Sequence, residues 1–240
     1  MQKLRLRYAK RGRLRFTSHR DIARAFERAL RRAHVPMAYS QGFNPHPKIS
    51  WIGAAPTGVA SEAEYVEIQL VEPVAPADLV AMLDTAMPPD LDLLEAVEAT
   101  GGDSLADRVE VSRWSIELPD VSADALRAAV GKMLAEPVVE VERLTKHGMR
   151  TIDARAAIVS ATVHDETHPP DPAPAGSPCG ILDVVVRQTT PVVRPDDVLS
   201  ALRVVAALEP PVPAKATRMA QGRLDDSGGL SDPLAPDRVS

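Results

Sequence analysis

Residues 3–10, KLRLRYAK, alternate strictly: Leu4, Leu6 and Tyr8 fall on one face and Lys3, Arg5 and Arg7 on the other, as in a half-buried strand. The short LRF at 14–16 is expected to extend that strand or to form a hairpin. Ser18 stands as an N-cap with Asp21 three residues on, which predicts a helix over 19–33 whose apolar residues Ile22, Phe26, Ala29, Leu30 and Ala33 recur at helical spacing. A turn-rich loop, AYSQGFNPHPK, comes next. Then follow an apolar segment ISWIGAAP, an alternating strand EYVEIQLVE, a helix PADLVAMLDTAM and a strand near LDLLEAVEA. The order is β-α-β-β-α-β.

The second half repeats that order without residue-level similarity. RVEVSRWSIEL reads as a strand and SADALRAAVGKMLAE as a Ser-capped helix. VVEVERL, with AAIVSATV or ILDVVVRQ, supplies the next strands; RPDDVLSALRVVAAL is a helix and AKATRMAQGRL a closing strand. The expected fold is α+β, two tandem ferredoxin-like (split βαβ) units at 1–100 and 104–224 joined near Gly101 and Gly102. Proline density marks an insertion at 164–180, and residues 225–240, lacking apolar periodicity, are expected to be a disordered tail.

Charge changes the picture most. The net charge of -5 conceals a division: residues 1–50 hold 13 Lys/Arg against Asp21 and Glu27, and the remainder holds 15 against 31 acids. Such asymmetry points to a polyanion-facing end. On the predicted helix Arg20, Arg24, Arg28 and Arg31 form a stripe by the three-to-four-residue rule, with Lys3, Arg5 and Arg7 on the strand and Arg13 and Arg15 between them. If they converge, guanidinium forks would grip RNA phosphates; if not, the stripe is a solvated face or pairs with the acidic remainder. Aromatic residues are 3% of the chain, which argues against an extended stacking platform. The single cysteine, Cys179, excludes an internal disulfide, a multi-cysteine zinc site and three-cysteine ligation of an iron–sulfur cluster. The charged opening segment and the lack of an apolar run near 18 residues predict neither signal peptide nor membrane span, and hence a cytoplasmic protein with no membrane partner.

FTSHRDIARAFERALRRAHVPMAYSQGFNPHPKIS, followed by GVASEAEYVEIQL, resembles an uncharacterised bacterial family described as radical-SAM-associated or radical-SAM-linked, a domain of unknown function. The resemblance is residue-level over about 3–70 and a matter of layout beyond. It implies a radical SAM protein as partner, bringing an iron–sulfur cluster, S-adenosylmethionine and cobalamin. This chain has no CxxxCxxC motif, so no cofactor is expected in it and radical chemistry is not expected from it.

In the loop, Gly42 admits unusual backbone angles, Pro45 and Pro47 stiffen the chain, and Asn44, His46 and Lys48 offer polar groups; the loop either clamps an anionic ligand or rigidly enters the next strand. His19 and His46 with Asp21 suit acid–base chemistry or metal ligation if they meet, and ordinary hydrogen bonding if they do not. Glu62 and Glu64, two apart on a strand, either orient a basic or hydroxyl-bearing group or keep a strand edge soluble. Three functions follow. The leading one is an accessory protein, without catalysis of its own, that recognises RNA or docks a substrate for a radical SAM enzyme modifying tRNA or ribosomal components. The second is a metal-independent endoribonuclease using His19 or His46. The third is an adaptor that contacts the radical SAM partner with no nucleic acid involved.

Overall fold

A computed structural model describes residues 1–146, 148–164, 178–225 and 228–238. The chain divides into two units, Met1–Val109 with Ala220–Ser240, and Glu110–Met219. In the first, β1 (Gln2–Lys10) leads through a 3-10 turn (Gly12–Phe16) to α1 (His19–Arg32), β2 (Ile49–Ile52), β3 (Ala60–Leu70), α2 (Pro76–Asp84) and β4 (Leu91–Glu98). β1 lies between β4 and β3, antiparallel to both, and β2 pairs antiparallel with β3. The alternation in β1 is the reason for the layering. Leu4, Leu6 and Tyr8 are fully buried among Val66, Ile68 and Leu70 of β3, Ile22, Phe26 and Leu30 of α1, and Leu79 and Leu83 of α2. Each large side chain buried there contributes about 1.5–3 kcal/mol.

LRF neither extends β1 nor forms a hairpin. Leu14 donates its amide to the Arg11 carbonyl and Thr17 to the Leu14 carbonyl, and these short-range bonds wind residues 12–16 into the turn that delivers the chain to α1.

The second unit comprises β5 (Val111–Pro119), α3 (Ala123–Ala135), β6 (Glu140–Thr145), β7 (Gly148–Asp153), β8 (Ile158–His164), β9 (Cys179–Arg187), α4 (Pro195–Ala206) and the first half of β10 (Lys215–Leu224). β9 lies between β5 and β8, antiparallel to both, β10 runs beside β5, and α3 packs on α4, β8 and β9. AAIVSATV and ILDVVVRQ are therefore both strands of this sheet, whereas VVEVERL is not in it. Its residues from β6 pair with β7 in a separate two-stranded ribbon. The difference is legible in burial: Leu182, Val184, Val185 and Val186 make β9 apolar on both faces, while Glu140 and Glu142 leave one side of β6 in water. Arg143 ties the ribbon to α4, donating to Asp197 at 2.6 Å. Most of the proline-rich insertion, residues 165–177, lies outside the described residues.

The chain re-enters the first unit within β10, and for residues 228–238 the expected disordered tail is corrected; residues 226–227 and 239–240 lie outside the described residues. β11 (Leu230–Ser231) pairs with β10 at Arg223 and Leu224. Gly222 permits this approach, because a Cβ there would collide with the Ser231 carbonyl. Leu234 is fully buried with Ile52, Tyr65, Val97, Leu105 and Val109. Asp237, 1% exposed, receives hydrogen bonds from Arg5 (2.7 Å), Arg108 (2.5 Å) and the Thr100 amide and hydroxyl (3.1 and 3.0 Å). One leucine and one aspartate without periodicity give no amphipathic signal, and their partners lie more than a hundred residues away.

Candidate nucleic-acid interface

The basic opening segment separates into two populations. On β1 Lys3, Arg5 and Arg7 each lie within 4 Å of a carboxylate, Lys3 and Arg7 remaining partly exposed. Lys3 meets Glu67 at 3.0 Å, and Arg7 meets Glu95 at 3.7 Å. Arg5 is 2% exposed and donates to Glu67, Asp237 and the Asp103 carbonyl, which makes it a buried structural cation with no face toward a ligand. Burial opposes its charge, but the hydrogen bonds it donates to Asp237 and Glu67 outweigh that and raise its pKa. Arg11 is forked by Glu62 and also bonds Asp92 at 2.6 Å. The two acids of SEAEY have comparable duties: Glu62 holds Arg11, and the buried carboxylate of Glu64 accepts from the Ala55 amide at 3.1 Å. Glu64 is 2% exposed, whereas Glu62 stays partly open to solvent.

On α1 the cations face water. Ser18 caps the helix, accepting from the Asp21 amide at 3.3 Å and donating to the Asp21 carboxylate at 2.7 Å. Burial of Ile22, Phe26, Ala29 and Leu30 fixes the rotation of the helix, so Arg20, Arg24, Arg28 and Arg31 emerge on the exposed side. Arg24 has only Asp21, at 3.4 Å and half in solvent, a pairing of little strength. Arg20, Arg28 and Arg31 have no carboxylate partner among the described residues. In the preceding turn Arg13 is exposed, and the half-buried Arg15 places its guanidinium 4.6 Å over the Phe16 ring.

The loop after α1 stands beside this row. A bridge between Tyr39 and Pro47 closes its base, the Ser40 amide donates to the His46 carbonyl at 2.8 Å, and the His46 amide donates to the Ser40 hydroxyl at 3.0 Å. Lys48 anchors it to Ala38 and Gln69 through its backbone. Gly42 sits at φ +127, a conformation that side chains resist, with open space around its α-carbon. Asn44 is exposed, and Phe43 projects wholly into solvent. Between helix and loop lies a cleft of about 210 Å³ lined by Glu27, Leu30, Arg31, Tyr39, His46 and the two prolines 45 and 47.

The C-terminal end of the helix stripe, at Arg31, therefore meets the loop across the cleft, and no cation of the strand face lines that cleft. His46 lines the cleft. His19, at the start of α1, instead packs edge-on to Trp51 with centroids 5.2 Å apart and is not part of the cleft lining. Among the described residues no group of three or more His, Cys, Asp or Glu is placed to hold a metal, and no helix is long and apolar enough to cross a membrane. Sequence reasoning passed over Phe43, Tyr39 and Glu27. Phe43 carried a signal, an apolar ring in a loop of glycine, proline and polar residues.

A second cavity, about 500 Å³, is lined by Thr100, Gly101, Asp103, Arg108, Arg223 and Asp232 among others. Its cations are engaged: Arg108 with Asp237, and Arg223 with Asp103 at 2.9 Å.

No curated protein matches this chain. Residues 3–195, which span both the arginine helix with its loop and most of the second unit, match the model of a family described as uncharacterized protein conserved in bacteria (DUF2344), and the chain belongs to that family.

Proposed function

We propose that this protein is an accessory RNA-docking protein, without a catalytic step of its own, that presents an RNA substrate to a radical SAM enzyme in the cytoplasm. The observation that carries the reading is the contrast between two sets of cations. The β1 set lies against carboxylates, while Arg20, Arg28 and Arg31 line an outward helix face with no carboxylate partner among the described residues, and Arg31 borders the cleft beside a pinned loop. Three desolvation-ready guanidiniums in one row are a surplus that intramolecular stability does not require, and phosphate is the anion whose geometry a guanidinium fork matches. The radical SAM partner, with its iron–sulfur cluster, S-adenosylmethionine and cobalamin, follows from the resemblance of residues 16–50 and 58–70. The strand order within each unit favours the split βαβ, ferredoxin-like reading of the scaffold.

The test is a filter-binding titration with a short single-stranded RNA across salt concentrations. For single strands the logarithm of the affinity falls with the logarithm of salt by about 0.7 per phosphate neutralised. Replacing Arg20, Arg28 and Arg31 together by Gln is expected to flatten that slope by about 2 and to weaken binding at low salt. Absence of RNA affinity in the unaltered protein, even at low salt, would overturn the proposal.

A further inference from the structure

We propose that the interface takes unpaired nucleotides, with Phe43 as the platform on which a base stacks while Arg28 and Arg31 hold the neighbouring phosphates; this rests on the RNA reading above and specifies the class of RNA. The chain has eight aromatic residues. Five are turned inward in whole or part: Tyr8, Phe26, Tyr65 and Trp114 are buried and Trp51 is half-buried. The other three, Phe16 (61% exposed), Tyr39 (45%) and Phe43 (106%), all lie between residues 16 and 43, on the two flanks of α1. A sequence poor in aromatics thus exposes them only on the flanks of the helix that carries the arginine row.

Phe43 is the most informative of the three. Its ring gains nothing from the fold, and it is held out of the adjacent cleft by a loop whose base is closed by the Tyr39–Pro47 bridge and the paired bonds between Ser40 and His46. Holding an apolar ring in water has a cost that a bound base face would recover. The pinned base also means that little backbone freedom remains to be lost on binding. An RNA duplex does not offer such a face, since its bases are stacked internally and its major groove is too narrow for side chains; an unpaired strand does. Arg20 to Arg31 spans about 16 Å at 1.5 Å per residue, so the row tracks several phosphates of a strand whose base meets the loop. Positive charge on the row and the absence of carboxylates from the loop 39–48 favour nucleic acid over a protein partner as occupant.

The experiment is fluorescence anisotropy with an unstructured single-stranded oligoribonucleotide and with a duplex of the same sequence, using unaltered protein, Phe43→Ala and Phe43→Trp. Phe43 touches no core residue, so the substitutions leave folding intact. Stacking on an aromatic side chain is worth about 1–3 kcal/mol per base, which corresponds to a loss of roughly 5- to 150-fold in single-strand affinity for Phe43→Ala. Duplex binding is expected to be weaker and unchanged by the substitution. The salt slope is also expected to stay unchanged, and Phe43→Trp should retain affinity. Salt-dependent RNA binding that is indifferent to Phe43, or lost equally for duplex and single strand, overturns this inference and leaves the docking role intact. No RNA binding by the unaltered protein overturns both. Loss of radical SAM partner capture with RNA binding unaffected would assign Phe43 to a protein contact and overturn it as well.

Discussion

Replacement of Asp237 by Ala removes the one carboxylate shared by two buried guanidiniums. Arg5 keeps Glu67 and the Asp103 carbonyl, but Arg108, 7% exposed, is left with only the carbonyls of Pro233 (2.9 Å) and Gly101 (3.3 Å). Breaking a buried pair by deleting one partner costs about 3–5 kcal/mol, because the orphaned charge stays desolvated. That is a large share of the 5–15 kcal/mol typical of a domain. Burial works against the Asp237 charge, yet Arg5, Arg108 and the two Thr100 bonds outweigh it and lower its pKa from 3.8 to about 2. The folded value is the depressed one, so the stabilisation is complete above the unfolded value near 4 and is lost as pH falls through about 2; a shift of that size is worth roughly 2 kcal/mol. Trp51 lies in the first unit and Trp114 in the second, so urea unfolding followed by fluorescence in a Trp114→Phe background reports the unit that contains the cluster. For an m-value near 2 kcal/mol/M the midpoint should drop by about 2 M at pH 7. The comparison variant is Arg238→Ala: Arg238 is 42% exposed and pairs with Glu95 and Asp232, an arrangement expected to contribute under about 1 kcal/mol. Equal, small shifts for the two variants would refute the claim that the C-terminal segment is docked by a buried ion cluster.

Two further outcomes test the framework that positions the candidate interface. Ser18→Ala removes the hydroxyl that accepts from the Asp21 amide and donates to its carboxylate, and should lower stability by about 1 kcal/mol in the same unfolding assay, with no loss of helix content at low temperature; an unchanged midpoint would show that the cap contributes nothing. Gly222→Ala forces a Cβ into the Ser231 carbonyl and should release β11, seen as protease cleavage among residues 228–238 at concentrations that leave the unaltered protein intact; equal resistance of the two proteins would contradict the close approach.

Local pattern was readable and distant pairing was not. The cap at Ser18, the rotation of α1 and the inward face of β1 all follow from residues within a few positions of one another, and the structure has each of them. The opposite face of β1 illustrates the limit. Its alternating cations look alike in the sequence, but Arg5 faces Glu67 and Asp237, and Arg7 faces Glu95, partners set by strand register and by a segment 232 residues away. The same limit hid the docked segment 228–238 and the separate ribbon of β6 and β7. Where a charged strand packs beneath another layer, alternation specifies that a side is polar and not whether water reaches it.

The two fates of the arginines have one physical cause. A strand in the middle of a sheet has neighbours on both sides, so its polar face meets carboxylates on β3 and β4 at fixed register, and pairing there neutralises the charge and allows the C-terminal segment to cover it. A helix lying on a sheet has one face in contact and the other unopposed, and α1 has only Asp21 and Glu27 to set against its arginines. Charge accumulated on a strand face is therefore available to the fold, and charge accumulated on the far side of α1 is available only to something that binds. Under the proposed RNA-docking role, the polyanion contact falls on α1 and its flanking loop, with β1 as the support beneath them.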